Sequence, residues 1–223
     1  MESINRVSKR YALLLGFSGW FVFFSFLLRI VFLFWQLSEI DITVFNLLKI
    51  LSFGLLFDIG VLSFLFVVST LYILLVPKKY IGSIVDKIFI YFGFLVTLLI
   101  FVFTFFAEIT FWEEFKCRFN FVAVDYLIYT FEVVQNIHES YPLYILIPSM
   151  LIITGIIYFY FVKNDFFNKT ISTKISFKNR ILPFVLSLTV MLFYVFFVSN
   201  SNAEWSKNRY NNEISKTGIY SFF

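Results

Sequence analysis

An all-α membrane protein with five transmembrane helices is the fold class this sequence predicts, and three observations predict it. Of the 223 residues, 60% are hydrophobic and 14% charged, where a soluble domain carries about a quarter charged. The apolar residues fall into five long runs. The loops between those runs alternate in charge, basic on one side and acidic on the other. Mean hydropathy is +0.86. A buried core cannot absorb so much apolar residue in so short a chain, so the bilayer is part of the solvent.

The first run, Tyr11 to Leu28, is interrupted by Arg29 and continues to Trp35. It is too long for a signal peptide and no small-residue cleavage site follows, so it reads as an uncleaved anchor. The second, Ile50 to Val76, is interrupted only by Asp58 and stopped by Pro77-Lys78-Lys79. The third and fourth, Ile88 to Ala107 and Leu143 to Val162, are each 20 uncharged residues. Pro142 precedes the fourth, a favourable helix start, and Pro148 can bend it. The fifth is Ile181 to Val198, with Pro183 in its expected first turn. About 20 residues at 1.5 Å each cross the roughly 30 Å hydrocarbon layer.

Loop charge sets the expected orientation. Arg6, Lys9 and Arg10 precede the first span. Lys78, Lys79 and Lys87 follow the second, and Lys163, Lys169, Lys174, Lys178 and Arg180 follow the fourth. The opposite loops hold Glu39 and Asp41, then Glu108, Glu113, Glu114, Asp125, Glu132 and Glu139. The basic side is expected to be cytoplasmic, which places the N-terminus inside and residues from Ser199 onward outside. Residues 1–198 then form a transmembrane domain and residues 199–223 a polar extracytoplasmic linker, expected to lead into a further domain. On this topology Asn168-Lys169-Thr170, a glycosylation pattern, lies on the wrong side to be used.

Several function classes are disfavoured. Net charge is +4, but the basic residues are dispersed between apolar spans, unlike a nucleic-acid surface. Cys117 and His138, one of each type, make a poor zinc set. There is no Gly-rich phosphate loop, HExxH or GxSxG. The 35 Phe residues imply no function by themselves.

Two features stand out. Charges inside a bilayer cost on the order of 3 kcal/mol on insertion scales and normally find partners. Arg29 and Asp58 lie about 9 and 12 Å from the outer ends of their spans at 1.5 Å per residue. Antiparallel neighbours would bring them together, as an ion pair serving either as a structural clasp or to hold a lipid phosphate. The second feature is the long outer loop from Phe111 to Pro142. Read as a helix over about 118–139, it aligns Phe121, Val124, Ile128, Phe131 and Val134 in one stripe. Arg118, Asp125, Glu132 and Glu139 recur every seven residues on another face. This is an amphipathic interfacial helix, expected either to close the outer end of the bundle or to dock a domain or lipid head group through Arg118, Asp125, Tyr126, Glu132 and Glu139.

The run from Arg118 to Thr130 (RFNFVAVDYLIYT), followed by Glu132-Val133-Val134, Asn136-Ile137 and Glu139-Ser140-Tyr141-Pro142, resembles the outer loop of lipoteichoic acid synthase-like proteins. These are bacterial phosphoglycerol transferases and related sulfatase-fold membrane enzymes. Asn208 to Glu213 (NRYNNE) and Gly218 to Phe223 (GIYSFF) are similar to the segment leading into that family's catalytic domain. The resemblance implies a bacterial plasma-membrane location, a phosphatidylglycerol-like lipid partner, and a downstream extracytoplasmic domain. In that domain a threonine nucleophile and a divalent metal, typically manganese, would carry out transfer or hydrolysis. None of that machinery lies within residues 1–223, so no catalytic, cofactor or metal residue is assigned. The alternative is a self-standing transporter subunit or scaffold. Transporters commonly show paired broken spans from internal repeats, and no such pairing is visible here.

Overall fold

The computed structural model describes residues 2–120 and 141–222. They form eight α-helices and two short 3-10 turns, with no strand among the described residues: α1 (Glu2–Arg10), α2 (Ala12–Trp35), α3 (Val44–Leu75), α4 (Ile84–Phe115), α5 (Leu143–Lys163), α6 (Phe166–Ser172), α7 (Lys178–Phe197) and α8 (Arg209–Ser215). Five of these, α2, α3, α4, α5 and α7, are long and apolar enough to cross a membrane. Their surfaces fit that reading. Tyr144, Phe196 and Phe197 are each more than 70% exposed, and an apolar surface this dense is stable only against lipid.

The helices overrun the apolar runs that announce them. α3 begins at Val44 rather than Ile50, and α4 continues to Phe115 rather than stopping at Ala107. Hydropathy registers only the stretch in hydrocarbon, whereas each further helical residue still satisfies its own backbone groups in the interface. Glu108, Glu113 and Glu114, expected in a loop, therefore sit on α4. Pro183 also moves: α7 starts at Lys178, so the proline lies past the first turn, where its missing N–H removes a helical hydrogen bond. The outer-loop helix expected over about 118–139 falls outside the described residues except at its start. There, residues 117–120 are not helical.

The chain groups into two compact units: Met1–Phe23, Ile59–Leu98 and Ile156–Val198 in the first, and Phe24–Asp58, Leu99–Gly155 and Ser199–Phe223 in the second.

The first unit is built on aromatic packing and one buried ion pair. Phe94 meets Phe161 and Phe167, with ring centroids 4.8 and 5.3 Å apart. Tyr91 stacks on Phe167 at 4.4 Å. Gly16 admits this layer, because a Cβ there would come within 2.5 Å of the Phe166 ring. Arg10 Nη2 lies 3.2 Å from Asp86 Oδ1, both side chains fully buried. Arg10 also donates to the Thr170 carbonyl at 2.7 Å. Asp86 accepts further bonds from Tyr72 Oη and the Gly82 N–H, both 2.8 Å. Gly82 takes a φ of +81°, which glycine adopts without steric cost. Arg180 donates to the carbonyls of Ile73, Val76 and Ile175, neutralising the open C-terminal end of α3.

The second unit has an apolar centre of Leu28, Phe32, Leu33, Ile40, Ile50, Trp112 and Ile214. Residues 199–223 belong to it. Ala203, Asn211, Ile214 and Ser215 are fully buried. α8 starts at Asn208, whose side chain accepts from the Tyr210 and Asn211 N–H groups, the usual N-cap arrangement.

Candidate functional site

The second unit carries a cluster of buried charge. Arg29 lies on α2 and Asp58 on α3, and both side chains are at most 2% exposed. Arg29 Nη1 donates to Asp58 Oδ2 at 2.7 Å, and Nη2 donates to Oδ1 at 2.9 Å. This is a two-pronged pair of the kind that fixes geometry as well as charge. Asp58 Oδ1 also accepts from Ser25 Oγ at 2.7 Å. Arg29 Nη2 donates to the Gly54 carbonyl at 2.8 Å. A Cβ on Gly54 would sit 2.1 Å from Arg29 Nε, so only glycine lets the guanidinium lie against α3.

The remaining partner comes from the end of the chain. Thr217 Oγ1 accepts from Arg29 Nη2 at 2.8 Å and donates to Asp58 Oδ1 at 2.7 Å. One hydroxyl thus bridges both halves of the ion pair.

A second pair lies in the same unit. Arg118 Nη1 donates to Glu108, with the guanidinium carbon 4.9 Å from the centre of the Phe32 ring. Phe32 in turn stacks on Trp112 at 4.3 Å and 12°. Again the 199–223 segment closes the arrangement. The Arg118 N–H donates to Glu213 Oε2 at 3.0 Å, and Lys216 Nζ pairs with Glu213 Oε1 at 2.7 Å. A Cβ on Gly218 would come within 2.6 Å of the Glu108 carboxyl carbon. Burial pushes the Arg118 pKa down, with Glu108 opposing and the Arg29 charge adding to the fall.

The cluster balances three cations, Arg29, Arg118 and Lys216, against three carboxylates, Asp58, Glu108 and Glu213. It is not fully satisfied. Arg29 Nε, Arg118 Nε and Nη2, Trp112 Nε1 and both side-chain polar atoms of Asn211 are buried with no hydrogen-bond partner among the described residues.

Of the residues singled out from sequence, Arg29 and Asp58 are brought together. Arg118 is not on an outward polar face. It is 1% exposed and turned toward Glu108, because a guanidinium beside a buried carboxylate gains more from pairing than from facing solvent. Asp125, Tyr126, Glu132 and Glu139 lie outside the described residues. Sequence reasoning did not single out Thr217, Gly218 or Glu213 as partners of these charges. It read Glu108 as a loop acid. A glycine one helical turn before Asp58 was the available signal for a side chain lying across α3.

Among the described residues no group of three or more His, Cys, Asp or Glu is placed to hold a metal, and the Thr217 hydroxyl is engaged by Arg29 and Asp58. What the cluster can do is hold residues 199–223 in one position on the membrane helices. Comparison of the chain with protein-family models, with curated proteins and with solved structures found no match in any of the three.

Proposed function

We propose that this chain is the membrane domain of a lipoteichoic acid synthase-like enzyme, a phosphoglycerol or phosphoethanolamine-type transferase or a sulfatase-like hydrolase. In this reading it anchors the catalytic domain at the outer leaflet of a bacterial plasma membrane and guides the lipid substrate to it. The N-terminus is cytoplasmic and residues 199–223 extracytoplasmic.

One observation carries the reading. The segment leading out of the last span is bonded through Thr217 to the Arg29 and Asp58 charges on the membrane helices, and through Glu213 to the Arg118 backbone N–H just past α4. An anchor that must present an active site at a set height above the lipid needs such a rigid exit, since a flexible linker would let the domain range over a wide volume. The sequence resemblance of residues 111–142 and 208–223 to that family supplies the reaction class, and the basic loops supply the orientation.

The test has two parts. A periplasmic-type reporter fused after Ser206 is expected to be active, and one fused after Lys79 inactive. The coding sequence past Phe223 is expected to encode a domain with divalent-metal ligands and a threonine nucleophile. An inactive Ser206 fusion overturns the orientation. A stop codon directly after Phe223 overturns the enzyme assignment.

A further inference from the structure

The first unit contains a cavity of about 520 Å³ between residues of α1, α2, α3 and α7. This lies within the ~300–1,000 Å³ range of small-molecule sites. Five of the side chains around it carry a serine or threonine hydroxyl, and each is already bonded to a backbone carbonyl. Ser8 donates to Asn5, Ser18 to Leu14, Ser63 to Gly60, Thr70 to Phe66 and Ser187 to Phe184. Tyr11 also lines the cavity, and its hydroxyl is buried with no hydrogen-bond partner among the described residues. The remaining lining residues are aliphatic apart from Phe66. With the serine and threonine protons already committed, the wall meets an occupant mainly through dispersion contacts.

Such a wall excludes the other candidates. Water needs two to four polar partners and does not settle in an apolar cavity. A head group or a free anion would be stripped of solvent against a wall with no charged side chain to receive it. Left empty, the lining side chains would lack contact atoms on one side. In a chain that spans a membrane, the flexible hydrocarbon at hand is a lipid tail.

The rim adds a charge preference. Val7 and Ser8 of α1 are among the lining residues. Arg6 and Lys9, both exposed, flank them in the chain. A basic amphipathic helix of this kind lies along a membrane surface and favours anionic lipid. We propose that this cavity seats one acyl chain of an anionic phospholipid, its head group beside α1. The inference needs only that the chain spans a membrane and is independent of the enzyme assignment.

The probe is a phospholipid with a photoreactive diazirine at mid-chain. It is made with a phosphatidylglycerol or a phosphatidylcholine head group and incorporated at trace level in vesicles holding the full chain. Adducts mapped by peptide mass spectrometry are expected to concentrate in residues 59–70 and 183–190 over other lipid-facing positions such as Phe92 and Tyr144. The phosphatidylglycerol probe is expected to label more strongly. Leu186→Trp and Val190→Trp, at lining positions that are 56% and 40% exposed, are expected to abolish labelling in those two stretches while labelling near Phe92 and Tyr144 persists, which also reports that the fold is intact. Lys9→Glu is expected to remove the head-group preference. Adducts spread evenly over all exposed apolar faces would overturn the proposal, as would tryptophan variants that label like the parent. Equal labelling by the two probes would overturn its anionic half, and stronger labelling by a polyprenyl phosphate probe would overturn the choice of occupant.

Discussion

Each unit is built around a buried arginine–aspartate pair, yet the two pairs are made differently. Arg10 and Asp86 are 3.2 Å apart at closest approach and are completed by Tyr72, the Gly82 N–H and the Thr170 carbonyl, all from the same unit's helices and turns. Arg29 and Asp58 meet at 2.7 Å and are completed by Thr217, 188 residues beyond Arg29 in the chain. The first pair ties helices to one another. The second ties the 199–223 segment to helices. Breaking a buried pair by removing one partner costs about 3–5 kcal/mol, although the intact pair adds little over a well-packed apolar substitute. The net worth of these charges is therefore geometric. Each specifies which segments belong together, and the second specifies where the chain goes after its last span.

The largest expected effect separates the two directly. Asp58→Asn should lower stability by about 3–5 kcal/mol, read as a downward shift of the unfolding midpoint in detergent, and should free residues 199–223. Asp86→Asn should also destabilise, but Arg10 keeps the Thr170 carbonyl and the 199–223 segment should stay docked. If the two variants loosen that segment equally, the division of labour is wrong.

Gly54→Ala comes next. Its Cβ would collide with Arg29 Nε, and overpacking of a tight interior costs about 1–3 kcal/mol. The matching change in the first unit, Gly16→Ala, comes within 2.5 Å of the Phe166 ring and 3.0 Å of the Phe161 ring and should cost less, because the closer ring stands on the short helix α6 and can shift. Comparative thermal unfolding of the two variants sharpens the contrast. If Gly16→Ala proves the more damaging, the ion pair is not the tightest point of the bundle.

A smaller effect is expected from Arg180→Gln. Loss of charged donors to the Ile73, Val76 and Ile175 carbonyls should cost about 1–3 kcal/mol, with proteolysis confined to the α3–α4 connection. The smallest concerns Cys117. Burial, with the Glu213 charge adding to it, raises the thiol pKa. Thiolate is the reactive form, so alkylation near neutral pH should be slower than for a free cysteine and should quicken as pH rises. Glu213→Gln should speed it modestly. Reaction at the free-cysteine rate would mean that the 199–223 segment does not cover this position.

How legible all this was in the sequence depends on where a charge stands. Arg29 and Asp58 interrupt apolar runs, and in hydrocarbon an interruption demands a partner. Arg10 and Asp86 sit at the margins of such runs, where solvated loop charges are the ordinary case, so nothing marked them as a buried pair. Arg118 falls on a heptad-spaced polar face in the sequence, but a repeat of charges cannot tell whether one of them turns back to a carboxylate such as Glu108 on α4. The 199–223 segment was hardest to read. Its polar composition resembles a soluble linker, and it is held by single long-range bonds of Thr217 and Glu213, by the close approach of Gly218 to Glu108 and by Ile214 in the apolar centre, which leave no periodic trace.

Limited trypsin digestion of the chain in sealed proteoliposomes shows whether the Arg29–Asp58 pair holds residues 199–223 in place. Cleavage after Lys216 is compared with cleavage after the exposed Lys207, in the parent, in Asp58→Asn and in Thr217→Val. The parent is expected to resist at Lys216 and both variants to be cut there at a clearly higher rate. Equal cleavage in all three chains would contradict this, because residues 199–223 would then be held by something other than the Arg29–Asp58 pair.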